Sequence, residues 1–252
     1  MSQLLATLEV LAFSGLWVAL AAAGLSLAAA LAMASAPDPR VAGVALFGTL
    51  AVYGADRLFD VDRDRVSSPL RTDFVLRHEN RLALLSALSG AVAVGLGLSL
   101  GPRVVSLLAL VLAAGLAHRR LKQIRFAKPL YIALAWCAVV VWVPAAVASE
   151  AHDVGWVSAV IALAVLANAI ASNVRDGEQG LARPDHALVV ARLCALLSLG
   201  SAWLAPAPLR ALAAVPAATL LALLRGRIDE RWGLVAVDGA LVAGSALAVA
   251  LA

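Results

Sequence analysis

The chain has 252 residues, of which 63% are hydrophobic and only 14% charged. Soluble domains are about half apolar and a quarter charged, so this composition excludes an ordinary water-soluble globule. The net charge of +4 is spread over loops that flank apolar runs, which excludes a nucleic-acid partner.

Apolar runs long enough to cross a bilayer recur along the whole chain and predict an all-α, polytopic transmembrane bundle. About nine transmembrane helices are expected, at residues 8–34, 40–60, 81–100, 103–118, 129–149, 154–175, 185–204, 207–224 and 233–251. No linker separates them, so residues 1–252 read as a single integral membrane domain. The first run does not read as a removable signal peptide, because Glu9 interrupts it and no basic stretch precedes it.

The second run ends in Asp56, Asp60 and Asp64. Four-residue steps on a helix turn the side chain by only about 40°, so the three carboxylates share one face. Clustered negative charge at a membrane boundary calls for a cation, and oxygen-only ligands suit Mg²⁺. The alternative is a solvated helix end paired with Arg57, Arg63 and Arg65. Asp62 points to another face and reads as solvated. Residues 66–77 mix Leu70, Phe74, Val75 and Leu76 with charges, which fits either a loop or an interfacial helix over a cavity mouth.

Further along, Cys137 and Cys194 fall inside apolar runs and read as buried small residues. The sixth run ends in a second polar knot, Asn173-Val-Arg175-Asp176-Gly-Glu178, one to two turns after Asn168. Asp238 lies within the ninth run, where an ionisable side chain is expensive, and Arg192 in the seventh is its expected ion-pair partner. The six Trp residues read mostly as an interfacial belt.

Sixteen of the 20 Lys and Arg residues fall at the ends of even-numbered helices and in the loops after them. Positive charge marks the cytoplasmic side. The N-terminus is therefore expected in the cytoplasm and the C-terminus on the opposite side of a cytoplasmic (inner) membrane. Both acidic helix ends then lie on the cytoplasmic face.

Tyr53-Gly-Ala-Asp56-Arg57-Leu-Phe-Asp60-Val-Asp62-Arg-Asp64 resembles the first aspartate-rich motif, NxxxDxxxD, of the UbiA superfamily of intramembrane prenyltransferases. It fits in two registers, and Asp56 and Asp60 belong to both. Ser172-Asn173-Val-Arg175-Asp176-Gly-Glu178 resembles the second motif, with Asn173 and Gly180 standing where aspartates are usual. Arg119-Arg120-Leu-Lys122, Phe126-Ala-Lys128-Pro129 and Ala133-Leu-Ala-Trp136 look like the basic stretch between them. The resemblance covers residues 45–195 in order and spacing.

The resemblance implies an enzyme that transfers an isoprenyl group from an isoprenyl diphosphate to an aromatic or quinone-type acceptor. Mg²⁺ would be held by Asp56, Asp60, Asp64 and Asp176, with Asn173 as a further oxygen donor. Asp60, Asp176, Lys122 and Arg175 are the expected catalytic set, with the basic residues clamping the diphosphate, alongside Arg125 and Lys128. The partners would be the isoprenyl diphosphate, a lipophilic or aromatic acceptor and membrane lipid. A non-catalytic isoprenoid-binding protein of the same fold, and a transporter, are the competing readings. No inverted repeat supports the transporter.

Overall fold

The structure, a computed structural model, describes residues 2–121, 127–177, 183–226 and 228–252. Those residues are helical throughout, with no strand among them. The chain opens with α1 (Ser2–Ser14) and α2 (Leu16–Ala32), bent by 75° at a break of one residue. That residue is Gly15, at φ +87°, a backbone state open to glycine and strained for other residues. Next comes α3 (Pro39–Phe59), whose start is set by Asp38: its carboxylate accepts the Arg40 N–H at 2.8 Å, and Pro39 occupies the first turn.

Two short helices follow, α4 (Val61–Ser67) and α5 (Pro69–Arg77), so of the two forms that residues 66–77 allow, loop or interfacial helix, the segment takes the helical one on either side of Ser68. Pro69 opens α5. The carboxylate of distant Glu230 caps it, accepting the backbone N–H groups of Leu70 at 3.2 Å and Arg71 at 2.8 Å. Helices α6 (Glu79–Ser99) and α7 (Pro102–Leu121) come next. Helix α8 (Ala127–Cys137) runs through a π-helical turn, Ala138–Trp142, into α9 (Val143–Val147). Pro144 lacks an N–H and crowds the carbonyl four residues earlier, which accounts for the loosened turn.

Helix α10 (Val154–Arg175) precedes α11 (Pro184–Leu204). A 3₁₀ stretch, Ala207–Ala213, leads into α12 (Ala214–Leu223). The last span starts as α13 (Glu230–Trp232), loosens into a second π-helical turn, Gly233–Val237, and ends as α14 (Asp238–Leu251).

Six of these stretches are long and apolar enough to cross a membrane: Pro39–Phe59, Glu79–Ser99, Lys128–Val147, Val154–Arg175, Pro184–Leu204 and Glu230–Leu251. A seventh is gained if the bent α1–α2 pair is one span. Pro102–Leu116 and Ala207–Leu223 are apolar but shorter. All nine apolar runs of the sequence fall on helix, yet length and composition alone qualify six or seven of them. This is a multi-pass arrangement of membrane helices.

Helices α2 and α10 sit at the centre. Ala21, Ala22, Leu25, Ala28 and Ala29 of α2 pack with Val157, Val160, Ile161 and Ala164 of α10 in one buried cluster. Lipid tails offer no hydrophobic drive for helix association, so small side chains that let backbones approach become the cohesive element. Helix α6 lies outermost, with Leu84, Leu88, Val94 and Leu98 exposed as a lipid-facing surface would be. Cys137 and Cys194 are both buried, as expected. The Trp belt is only partial: Trp136 is in the core, and the Trp17 indole donates to the Val235 carbonyl inside the second π turn.

Candidate functional site

The backbone at the end of α3 keeps a four-residue ladder through the two helix junctions. Asp60 N–H donates to the Asp56 carbonyl, Asp64 N–H to Asp60 and Ser68 N–H to Asp64, at 2.9, 2.9 and 2.7 Å. The helical step that aligned the three aspartates is therefore preserved past the end of α3. Burial grades along them: Asp56 is exposed, while Asp60 and Asp64 are half-buried. Asp62 is exposed, as expected for its face.

Asp64 is gripped by Arg71 of α5 across a 2.6 Å ion pair. Burial raises the Asp64 carboxyl above its ordinary value, and the Arg71 guanidinium partly offsets this. Asp60 and Asp176 both act on Asp64 through their charge, so the first and second acidic motifs are electrostatic neighbours. A direct link exists as well: the Ser68 hydroxyl donates to Asp176 Oδ1 at 3.3 Å. The helix ends of α3–α4 and α10 thus meet on one side of the bundle.

Asp176 caps the C-terminal end of α10. Arg175 holds both of its oxygens, Nε to Oδ1 at 2.8 Å and Nη2 to Oδ2 at 3.1 Å. Burial pushes the Asp176 carboxyl up, but the charge and hydrogen bonds of Arg175 outweigh it and leave the group below its ordinary value. Arg71 and Lys128, the latter at the start of α8, add to that pull. Asn173 lies half-buried one turn earlier.

Arg175 also reaches Asp238, Nη1 to Oδ2 at 3.4 Å. The expected partner of Asp238 was Arg192, and this is corrected. Arg192 instead donates to the Leu223 and Arg225 carbonyls, near the end of α12. Its position on α11 carries it to α12, whereas α10 packs beside the π turn that precedes Asp238. Asn168 is buried and donates to the Val237 carbonyl at 3.0 Å, a tie between helices.

Arg57, read from the sequence as a counter-ion for the first motif, is instead buried beneath it. Its Nη1 donates to the Ala12 and Phe13 carbonyls at the end of α1. Positive charge at unpaired helix-end carbonyls is favourable. Phe74 of α5 packs edge-on against Phe13 at a 5.8 Å centroid distance, so α1 and α5 together roof this end of the bundle.

Arg71 is a site residue that the sequence does not single out, because in the chain it is one of several cations after the second apolar run. Its side chain is 8% exposed and its Nε, among the described residues, is a buried donor with no hydrogen-bond partner. Such an atom costs free energy unless a ligand oxygen meets it. The seven-residue separation from Asp64, two helical turns, was the available signal. Ser68 was missed too, and nothing in its sequence context marked it. Lys122, Arg125 and Glu178 lie outside the described residues.

Among the described residues, no three His, Cys, Asp or Glu side chains are grouped so as to hold a metal ion by themselves. The cluster instead alternates signs, with carboxylates Asp64, Asp176 and Asp238 against Arg71 and Arg175. A cavity of about 390 Å³ lined by Leu31, Ala207, Pro208, Arg210, Ala211, Leu251 and Ala252 lies at the opposite end of the bundle and shares no residue with this cluster. No protein-family model, no curated protein and no solved structure matches this chain.

Proposed function

We propose that the chain is a UbiA-like intramembrane prenyltransferase, which moves an isoprenyl group from an isoprenyl diphosphate to an aromatic or quinone-type acceptor. The observation that carries this reading is the meeting of the two acidic helix ends, bridged by Ser68 and Asp176, around a buried guanidinium whose Nε has no partner among the described residues. Carboxylates beside an unsatisfied cationic donor fit a ligand that is both metal-bound and anionic. Mg²⁺ commonly takes one or two carboxylates and fills its remaining positions with water and phosphate oxygens. The lack of a self-sufficient metal cage among the described residues suits that mode of binding.

Asp56, Asp60, Asp64 and Asp176, with Asn173, would hold Mg²⁺. Bound there, the ion stabilises the charge that develops on a departing diphosphate. The chain's own part is to orient and neutralise. Arg71 offers its Nε, Arg175 offers donors now spent on Asp176, and Lys122 and Lys128 extend the positive wall. The apolar helices exclude water from the prenyl chain, and lipid gives it a route of entry.

Nine crossings with a cytoplasmic N-terminus belong to the same proposal. Helix α7, at 20 residues, is about 30 Å long. The 3₁₀ stretch before α12 rises faster per residue, so Ala207–Leu223 reaches about 29 Å. Only the second matches a hydrocarbon core of about 30 Å, because the apolar part of α7, Pro102–Leu116, is about 22 Å long.

A second reading, a non-catalytic isoprenoid-binding protein of the same fold, is favoured by the engagement of both Asp176 oxygens by Arg175. Incubation of the purified chain with radiolabelled isoprenyl diphosphates and a panel of phenolic and quinone precursors separates the two. Mg²⁺-dependent labelled product supports the enzyme. Diphosphate binding without product removes it in favour of the binding protein.

A further inference from the structure

Asp238 has no place in the proposed metal set, yet the fold holds it with care. It is buried in the span Glu230–Leu251, and the backbone just ahead of it forms the π-helical turn Gly233–Val237. A π turn breaks the regular ladder and leaves carbonyls to be met from outside, and such turns often sit at functional sites. Two other helices meet them here: Asn168 of α10 donates to the Val237 carbonyl at 3.0 Å, and Trp17 of α2 to the Val235 carbonyl at 3.1 Å. Gly233 clears the path for the arginine, since a Cβ there would lie 2.5 Å from Arg175 Cδ. The result is one guanidinium, 6% exposed, shared between two carboxylates that are 15% and 11% exposed.

We infer that Asp238 is a positioning residue that keeps Arg175 neutralised while Asp176 exchanges its arginine for a metal–diphosphate ligand. The inference rests on the proposed function. Arg175 and Ser68 together take three of the roughly four lone-pair sites of Asp176, so a metal ion gains more than one of them only if Arg175 yields a contact. A buried cation stripped of its partner is strongly unfavourable. Asp238 removes that obstacle, because the guanidinium already touches it and needs only to pivot. The freed donors then face the ligand's oxygens. Asp238 itself touches neither metal nor substrate.

The test uses the purified full chain, Mn²⁺ as a spectroscopic probe for Mg²⁺, and inorganic diphosphate, with affinity read by electron paramagnetic resonance. Asp238→Asn leaves Arg175 wholly committed to Asp176 and is expected to weaken Mn²⁺ binding at least about 10-fold, the scale seen for outer-shell partners of metal ligands. The double variant Arg175→Gln with Asp238→Asn removes both charges together and leaves Asp176 uncovered. Its Mn²⁺ affinity without diphosphate is expected to exceed that of the unaltered chain. A merely structural Asp238 would weaken single and double variants alike, and that pattern overturns the inference, as does an unchanged Asp238→Asn. Should Asp238→Asn fail to fold, the double variant decides alone: tighter Mn²⁺ binding than the unaltered chain upholds the inference, equal or weaker binding overturns it. No Mn²⁺ binding by the unaltered chain, with diphosphate present, removes the functional reading and this inference with it.

Discussion

The two acidic regions use the same side chain under opposite conditions. Asp56, Asp60 and Asp64 descend from an exposed helix end into a half-buried one, and the α5 arginine meets only the deepest of them. Asp176 and Asp238 are 15% and 11% exposed, little less than the 19% of Asp64, but they share one buried arginine. In the first region Asp56 is open to solvent while Asp64 is held by Arg71. The second holds a buried cation of its own between two carboxylates and must rearrange to take part. Graded exposure in the first and a shared arginine in the second is the division this geometry draws.

The harshest way to break the comparison is Arg175→Met. It strands two buried carboxylates, and removing one partner of a buried pair costs about 3–5 kcal/mol. Thermal unfolding in detergent should show that loss, whereas Arg65→Met, at an exposed position, should stay within about 0.5 kcal/mol. Next in size is Asp60→Asn. Product formation should fall at least about 100-fold, the scale of losing one preorganised electrostatic group, with stability nearly unchanged. Retained transfer activity would remove Asp60 from the proposed set.

Gly233→Ala sharpens the second region alone. The new methyl must displace Arg175, at about 1–3 kcal/mol for an overpacked site. Double-mutant unfolding with Arg175→Met checks it: the two penalties should not add, because the methyl then has no guanidinium stalk to displace.

Acid separates the regions by sign. The carboxyl of Asp176 is depressed in the folded chain, so its stabilisation is present above its unfolded value near pH 4 and fades as pH falls through the lower folded value. Asp64 is raised, so its contribution runs the other way, fully present below about pH 4 and lost as pH climbs through the folded value. Asp176→Asn should therefore flatten the acid limb of the stability curve, and Asp64→Asn should steepen it. The smallest effect is expected at Asp62→Asn. This exposed residue should change neither Mn²⁺ affinity nor stability beyond about 0.5 kcal/mol.

Much of the fold was legible because membrane helices announce themselves through length and hydropathy. Each apolar run lies on helix, and the junctions at Pro39, Pro69 and Pro184 sit where proline permits a first turn. Breaks inside runs were less legible. The 75° bend at Gly15 and the second π turn show only in the backbone geometry, and Pro144 is the one residue that marks the first π turn in an otherwise apolar segment. In the site, the shared face of Asp56, Asp60 and Asp64 followed from local spacing. The partner of Asp238 did not, because Arg192 and Arg175 are both cations on neighbouring helices and only the packing of α10 beside the last span chooses between them. Arg71 was hidden for the same reason: a loop cation becomes a buried one only when α5 is capped by a carboxylate 159 residues away.

By itself the sequence determined a multi-pass helical membrane protein with an acidic helix end at Asp56–Asp64 and a second polar knot at Asn173–Asp176. Those properties reside in short stretches of chain, where periodicity and transfer free energy act locally. Tertiary structure decided which charges neutralise one another: Arg71 with Asp64, Arg175 with Asp176 and Asp238, and Arg57 with the carbonyls that end α1. The physical reason is that a buried charge must find a partner within a few ångströms, and which partners stand that close depends on how helices distant in sequence pack.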